Sequence, residues 1–248
     1  MLELNKVYCM DCIEFLKKLP DNSVDLIVTD PPYKLSQRYG TSVDADNLMS
    51  VSTIMVSMRE FSRILKKGRF AVIFYDKRIL PLLFQAVKYT ELRYDDQIFL
   101  YRRWGNAHKR NGWMSCTDPI IIFKKGDDKP FRPDHKVKTK HDTYTKSSPE
   151  KNSYNHPAQK PMEIITDIIN QFSNKEELVC DPYMGSGTVA ECSMNLSRKW
   201  IGCDNSKEYI NITNKRLSQE TLLPLDVNTK EDGFPPTPKG MGIQPTIL

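Results

Sequence analysis

The chain has no apolar run long enough to cross a bilayer, which takes about 20 residues, although 39% of its 248 residues are hydrophobic. Its first residues, Met-Leu-Glu-Leu-Asn-Lys, lack the basic-then-apolar pattern of a secretory leader. These two absences argue against membrane-spanning and secreted classes and make a cytoplasmic protein the expectation. Cysteine is sparse, at 9, 12, 116, 180, 192 and 203, with a single C-x-x-C at Cys9 and Cys12. No second pair and no spaced histidine pair accompanies it, and a zinc site needs four ligands. The expectation is therefore no metal, and small buried thiols in a reducing compartment. No internal repeat is visible. What remains is enough chain for one large domain with a sizeable core.

Charge is also scarce in one sense, because it balances almost everywhere. From Lys124 to Lys160 ten basic residues meet five acidic ones, an excess equal to the net charge of the whole chain, +5. Three of the four histidines (135, 141, 156) lie in the same stretch. Gly126 to Asn155 has almost no apolar periodicity and reads as an irregular insertion. A basic loop in an otherwise neutral chain suits contact with a phosphate backbone. Lys136, Lys138 and Lys140 are its candidates. A second basic stretch, Arg102-Arg103-Trp104 through His108-Lys109-Arg110 to Trp113, interleaves aromatic rings. It fits nucleic-acid contact, and fits equally a solvated loop with its tryptophans folded back on the core.

The stretch that organises the chain is Val24 to Tyr33. Val24-Asp25-Leu26-Ile27-Val28-Thr29 is short and nearly unbroken in apolar character, as in a strand buried on both faces of a parallel sheet. Pro31 and Pro32 cannot donate ladder hydrogen bonds, so the strand stops there. Asp30, Pro31, Pro32 and Tyr33 are thus fixed at a strand's carboxyl end, where open α/β sheets bind ligands. The tetrapeptide suits an exocyclic amine. The Asp30 carboxylate can accept one N–H, the Pro31 carbonyl the other, and Tyr33 can stack on the ring.

Around it, strands and helices alternate, which predicts a doubly wound, largely parallel sheet. Leu2 to Tyr8 alternates like a strand, and Asp11 caps a helix bearing Cys12, Phe15, Leu16 and Leu19. Lys34 to Asn47 is a polar loop beside the proposed site. The spacing of Leu48, Val51, Met55, Met58, Phe61, Ile64 and Leu65 predicts a helix to Lys67, ended by Gly68. Phe70–Tyr75, Gln97–Tyr101 and Ile120–Phe123 read as strands, and Ile79–Lys88 as helix. A helix with Met162, Ile164, Ile165, Ile168, Ile169 and Phe172 on one side comes after His156-Pro157.

A second motif closes the ordered part. Leu178-Val179-Cys180-Asp181 is a strand, Pro182-Tyr183-Met184-Gly185-Ser186-Gly187 a glycine turn, and Thr188 a helix start. Trp200 to Asp204 is a further strand ending in an acid, with a helix over Lys207–Leu217 beyond it. Asp204 lies at about the spacing where a nucleotide-binding βαβ unit holds ribose hydroxyls. No lysine precedes Thr188, so this is not a P-loop. A ligand with a ribose and no phosphate fits, as S-adenosylmethionine does, with Asp181 toward its charged amino-acid end. The proline-rich tail beyond Leu222 reads as extended or disordered.

These motifs in this order resemble those of the β-group amino DNA methyltransferases, which methylate N6 of adenine or N4 of cytosine. The resemblance covers roughly Val7 to Leu217. It implies a circularly permuted, Rossmann-like methyltransferase fold, with S-adenosylmethionine as cofactor and double-stranded DNA as partner. Residues 1–123 would form the catalytic half, 124–155 the target-recognition insert, 156–218 the cofactor half and 219–248 a tail. Asp30-Pro31-Pro32-Tyr33 would be catalytic, on a base flipped out of the duplex. His156 and Lys160, in His-Pro-Ala-Gln-Lys-Pro, resemble the family's cofactor-proximal element. Tyr8-Cys9-Met10-Asp11-Cys12 resembles the acidic element near the cofactor's adenine. Asp181, Pro182, Tyr183, Gly185, Ser186, Gly187, Thr188 and Asp204 complete the cofactor seat. Tyr183-Met184 departs from the common Phe-Ala, and Asp204 from the common Glu.

Asp at position 30 favours adenine, since Ser there is commoner for cytosine. N4-cytosine methylation is the nearest rival, RNA or protein methylation a further one, and a catalytically silent DNA-binding protein a third. The resemblance also raises a homodimer and a cognate restriction endonuclease as partners. The short insert implies a short or loosely read target, which an assay showing a long, strict site would overturn.

Overall fold

In a computed structural model, the protein is described over residues 2–31, 45–107, 114–137, 142–146 and 160–218, with 45–51, 102–107, 114–115 and 145–146 given by backbone alone. Among the described residues, eight strands form one sheet. They are β1 (Lys6–Cys9), β2 (Val24–Thr29), β3 (Leu65–Phe74), β4 (Leu92–Ala107), β5 (Met114–Lys125), β6 (Thr143–Lys146), β7 (Leu178–Asp181) and β8 (Lys199–Asp204). Their spatial order is β1-β8-β7-β2-β3-β5-β4-β6. Every neighbouring pair is parallel except β3–β5 and β4–β5. Only β5 therefore runs against the rest, and the expected mostly parallel, doubly wound architecture is present.

Among the described residues, six α-helices cover the sheet: α1 (Cys12–Lys17), α2 (Ala45–Ile64), α3 (Leu80–Val87), α4 (Met162–Phe172), α5 (Thr188–Asn195) and α6 (Lys207–Ser218). The period-2 alternation of the strands decides which layer each residue joins. Along β3, Ala71 and Ile73 pack with Phe15, Met58, Phe61 and Leu83 from α1, α2 and α3. Phe70, Val72 and Phe74 face the other way, against Ile164, Ile165, Ile168 and Ile169 of α4. All six residues of β2 are buried, as a strand covered on both faces requires.

The structure departs from the sequence expectations in several places. The first helix after the polar loop starts at Ala45 and stops at Ile64, where β3 begins at once. Gly68 does not cap it. It sits within β3 at φ +72°, where the register with β2 slips between Val24–Leu65 and Leu26–Phe70. A Cβ there would lie 2.7 Å from the Lys129 carbonyl. Met55, expected on the buried stripe, is 40% exposed, whereas Met58 is 1% exposed. Strand–helix alternation fails at β4–β5, which pair antiparallel, so Arg102 to Trp104 lie on an extended strand and not in a loop. The stretch expected to be irregular supplies β6, paired with β4. At the amino terminus the strand starts only at Lys6, later than the expected Leu2, and runs one residue past Tyr8 to Cys9. No helix among the described residues is long and apolar enough to cross a membrane.

Candidate active site

The chain reverses its winding between β2 and β7. From β2 it crosses to β3 on one side, and from β7 to β8 on the other. Such a switch point leaves a crevice at the carboxyl ends of the strands. A cavity of about 750 Å³ lies there, with Asp30, Pro31, Asp181, Gly185, Ser186 and Asp204 in its wall. The two motifs, distant in sequence, are thus brought together. Asp11, Cys12, Lys160, Pro182, Tyr183 and Thr188 line the same space.

Asp30 comes directly after the last residue of β2, and its side chain is 28% exposed. Its carboxylate pairs with the Lys160 ammonium. That ammonium also stands 5.3 Å from the centre of the Phe74 ring. Lys160, expected in the cofactor seat, is therefore found on the catalytic-candidate acid, at the lead into α4. Pro31 is buried beside it.

Asp181 is 3% exposed. Its Oδ1 accepts from the Thr29 hydroxyl at 2.7 Å and from the Tyr183 N–H at 3.0 Å. Burial pushes its carboxyl up to about 7, against the pull of those two donors, with the nearby Asp30 and Asp204 adding to the rise. Asp204, at the end of β8, accepts the Gly185 N–H at 3.0 Å through one oxygen and the Ser206 N–H at 2.9 Å through the other. This fixes the acid against the glycine turn. Each oxygen keeps a lone pair for a ligand hydroxyl.

The turn is shaped from beneath by residues that the sequence did not single out. Gly187 has φ +79°, and a Cβ on it would lie 2.8 Å from Thr213. The Thr213 hydroxyl donates to the Gly185 carbonyl at 3.0 Å. Arg216, 2% exposed, donates to the Ser186 carbonyl at 3.2 Å and the Thr188 hydroxyl at 3.0 Å, and pairs with Glu191. Thr213 and Arg216 sit on α6 at i and i+3, a spacing that puts them on one face. That spacing is the available clue, but an arginine near a helix carboxyl end reads first as a surface cation.

The Cys12 thiol donates to the Tyr183 hydroxyl at 3.1 Å, and Ser57 lies 3.0 Å from the same oxygen. Burial raises the Cys12 thiol, so it stays protonated and structural. Asp11 caps α1, accepting from the Ile13 and Glu14 N–H groups at 2.8 and 3.2 Å. Pro32, Tyr33, His156, His108, Lys109, Arg110, Lys138 and Lys140 lie outside the described residues. Lys136 is exposed. Arg102, Arg103 and Trp104 lie on the carboxyl half of β4, which runs in the same sense as β2, so they fall toward the sheet edge that carries the cavity.

Six aspartates (11, 30, 76, 118, 181 and 204) and two cations, Arg78 and Lys160, are among the cavity's described wall residues. Asp76 holds Arg78 through Nε at 2.8 Å and a terminal nitrogen at 2.6 Å. A wall so rich in carboxylate suits a ligand carrying positive charge beside a nucleoside. S-adenosylmethionine, with a sulfonium and an ammonium, meets that requirement.

An α/β sheet with a glycine turn and strand-end acids at its switch point has the layout that suits a nucleoside ligand. Comparison with known proteins narrows the class. The DNA methylase family of the N6/N4 group matches residues 24–215, and the chain belongs to that family. Type II methyltransferase M.HpaI of Haemophilus parainfluenzae is 29% identical over 87% of this chain and 74% of its own length. DNA adenine methyltransferase YhdJ of Escherichia coli K12 is 26% identical over 84% of this chain and 80% of its own. Among solved structures, the M1.HpyAVI–SAM complex superposes with a TM-score of 0.66 at 25% identity, covering 86% of this chain and 98% of that one. The cytosine-N4-specific PvuII DNA methyltransferase reaches a TM-score of 0.74 at 18% identity, over 88% of each chain, a likeness of fold alone.

Proposed function

We propose that this DNA methyltransferase modifies N6 of adenine, flipped out of a short duplex sequence, and that the cavity at the β2–β7 switch point is where it does so. The observation that carries the reading is the placement of Asp30 and Pro31 at the open end of β2, in one cavity with the glycine turn and Asp204. S-adenosylmethionine would supply a methyl group already activated by its sulfonium. Asp204 would accept the ribose hydroxyls, the turn from Gly185 to Thr188 would admit the ligand closely, and Asp11, Cys12, Pro182 and Tyr183 would wall the adenine side. Asp181 would face the amino-acid end.

Asp30 does the work on the target base. An aromatic amine is a poor nucleophile because its lone pair is delocalised into the ring. Asp30, accepting one N–H, and the Pro31 carbonyl, accepting the other, favour a pyramidal nitrogen and stabilise the positive charge that develops on it. Flipping costs a few kcal/mol. A stacking ring in the role expected of Tyr33 returns about 1–3 kcal/mol of it. Arg102, Arg103, Trp104 and Lys136, with the basic residues of the insert, would hold phosphates and reach a groove.

Adenine is preferred over cytosine because position 30 is Asp, and because a DNA adenine methyltransferase is among the relatives. The type II relative makes a cognate endonuclease a partner to look for. The deciding experiment is incubation with radiolabelled S-adenosylmethionine and unmethylated duplex DNA, then nucleoside analysis. Label in N6-methyladenine that vanishes in Asp30→Ala is the expected result. Label in N4-methylcytosine would move the target base and keep the site. No label in DNA would defeat the reading.

A further inference from the structure

Lys160 lies between two demands. Its ammonium pairs with Asp30. On the function proposed above, Asp30 must accept an amine N–H, and the cofactor's amino-acid end brings a carboxylate into the same cavity. Of the two cations in the described wall, Arg78 is gripped in bidentate fashion by Asp76, whereas Lys160 has three N–H donors on a flexible four-carbon stem. Its side chain is 22% exposed, so it keeps room to swing. The cofactor's carboxylate therefore finds its mobile counter-charge in Lys160, the residue that occupies Asp30.

We propose that Lys160 is a positioning residue that couples the two substrates: it holds Asp30 while the cofactor is absent and moves to the cofactor's carboxylate when it binds, freeing Asp30 for the target amine. The inference rests on the function proposed above. It unites the sequence expectation, Lys160 in the cofactor seat, with the observed pair on Asp30. A ligand shifts an equilibrium only through differential contact with its two states. Here the contact is the carboxylate–ammonium pair, available only when Lys160 has left Asp30. Cofactor should then strengthen DNA binding, and by linkage DNA should strengthen cofactor binding by the same factor.

The test measures the dissociation constant of a fluorescent duplex carrying the sequence that the protein modifies. It is measured without ligand, with saturating S-adenosylhomocysteine, and with saturating 5′-methylthioadenosine, which lacks the amino-acid end. In the native protein S-adenosylhomocysteine should tighten DNA binding by about fivefold or more, and methylthioadenosine by less than about twofold. Lys160→Met should abolish the difference and bind DNA without ligand about as well as the native protein does with it, because Asp30 is already free. Lys160→Arg should restore part of the coupling. Coupling that persists in Lys160→Met, or that methylthioadenosine produces as well as S-adenosylhomocysteine, overturns the proposal. So does native protein that binds both ligands without coupling. Native protein that binds no S-adenosylhomocysteine at all overturns the functional reading itself.

Discussion

β2 and β7 are neighbours, both parallel, and each runs into Asp-Pro. Their two acids nonetheless have opposite fates. Asp181 is buried in the cavity wall, with Thr29 from the adjacent strand and its own turn's Tyr183 N–H on one oxygen. Asp30 is open to the cavity, and it pairs with a side chain that can leave. The asymmetry comes from the surroundings of each corner. After Pro182 the chain curls back, with the Met184 N–H on the Cys203 carbonyl at 2.9 Å, and brings the Tyr183 N–H onto the Asp181 carboxylate. Among the described residues, no hydroxyl serves Asp30 in the way that Thr29 serves Asp181. The environment of a strand-end acid is thus set by its donors, and the motif letters alone do not decide it.

The comparison can be broken most severely at Asp30. Asp30→Ala should lower the single-turnover rate by about 10²–10³-fold or more, the scale of losing one aimed polar contact in a transition state. A loss under tenfold would place the chemistry elsewhere. The next largest effect lies under the glycine turn. Arg216→Met leaves the half-buried Glu191 and the Ser186 carbonyl without their buried cation, so unfolding stability should fall by about 3 kcal/mol, read from urea midpoints. A change below about 1 kcal/mol would mean that the pair is replaceable by water.

The buried acid gives a pH signature. Asp181 titrates at about 7 folded, against an ordinary 3.8. Between those values the folded chain holds a proton that the unfolded chain releases, so this contribution to stability is complete below about pH 4 and lost as the pH rises through 7. Asp181→Asn keeps an oxygen for Thr29 and Tyr183 and carries no charge. Its stability relative to native protein should climb between pH 4 and 8 by an amount on the order of 3–4 kcal/mol. A difference that stays flat across that range would show that Asp181 is charged at no cost. The smallest effect is expected at Asp204, whose substitution by Ala should weaken the cofactor about 10–100-fold, the worth of a charge-assisted hydrogen bond, with little change in the transfer step at saturation.

Much of this layout is legible in the sequence. The apolar run ending at Asp30, the glycine turn and the acid at Asp204 each depend on local pattern, and local pattern fixes strand ends. Asp11 as the cap of α1 is legible for the same reason. The features that escape depend on contacts between distant segments. The Lys160–Asp30 pair joins residues 130 positions apart. Arg216 is buried although its type reads as surface, because Glu191 and the Ser186 carbonyl together offset its desolvation. The β4–β5 pairing is hidden because the basic, aromatic sequence from Arg102 gives no sign that the strand continues. Gly68 reads as a helix stop, since a left-handed glycine serves a strand irregularity as readily as a helix end.

The division of labour between the two Asp-Pro corners is tested most directly by the cofactor dissociation constant of Asp30→Ala. It should stay within about threefold of the native value, or tighten as Lys160 is released, although transfer is lost. A constant weakened in proportion to the lost rate would contradict the assignment and put Asp30 in the cofactor seat.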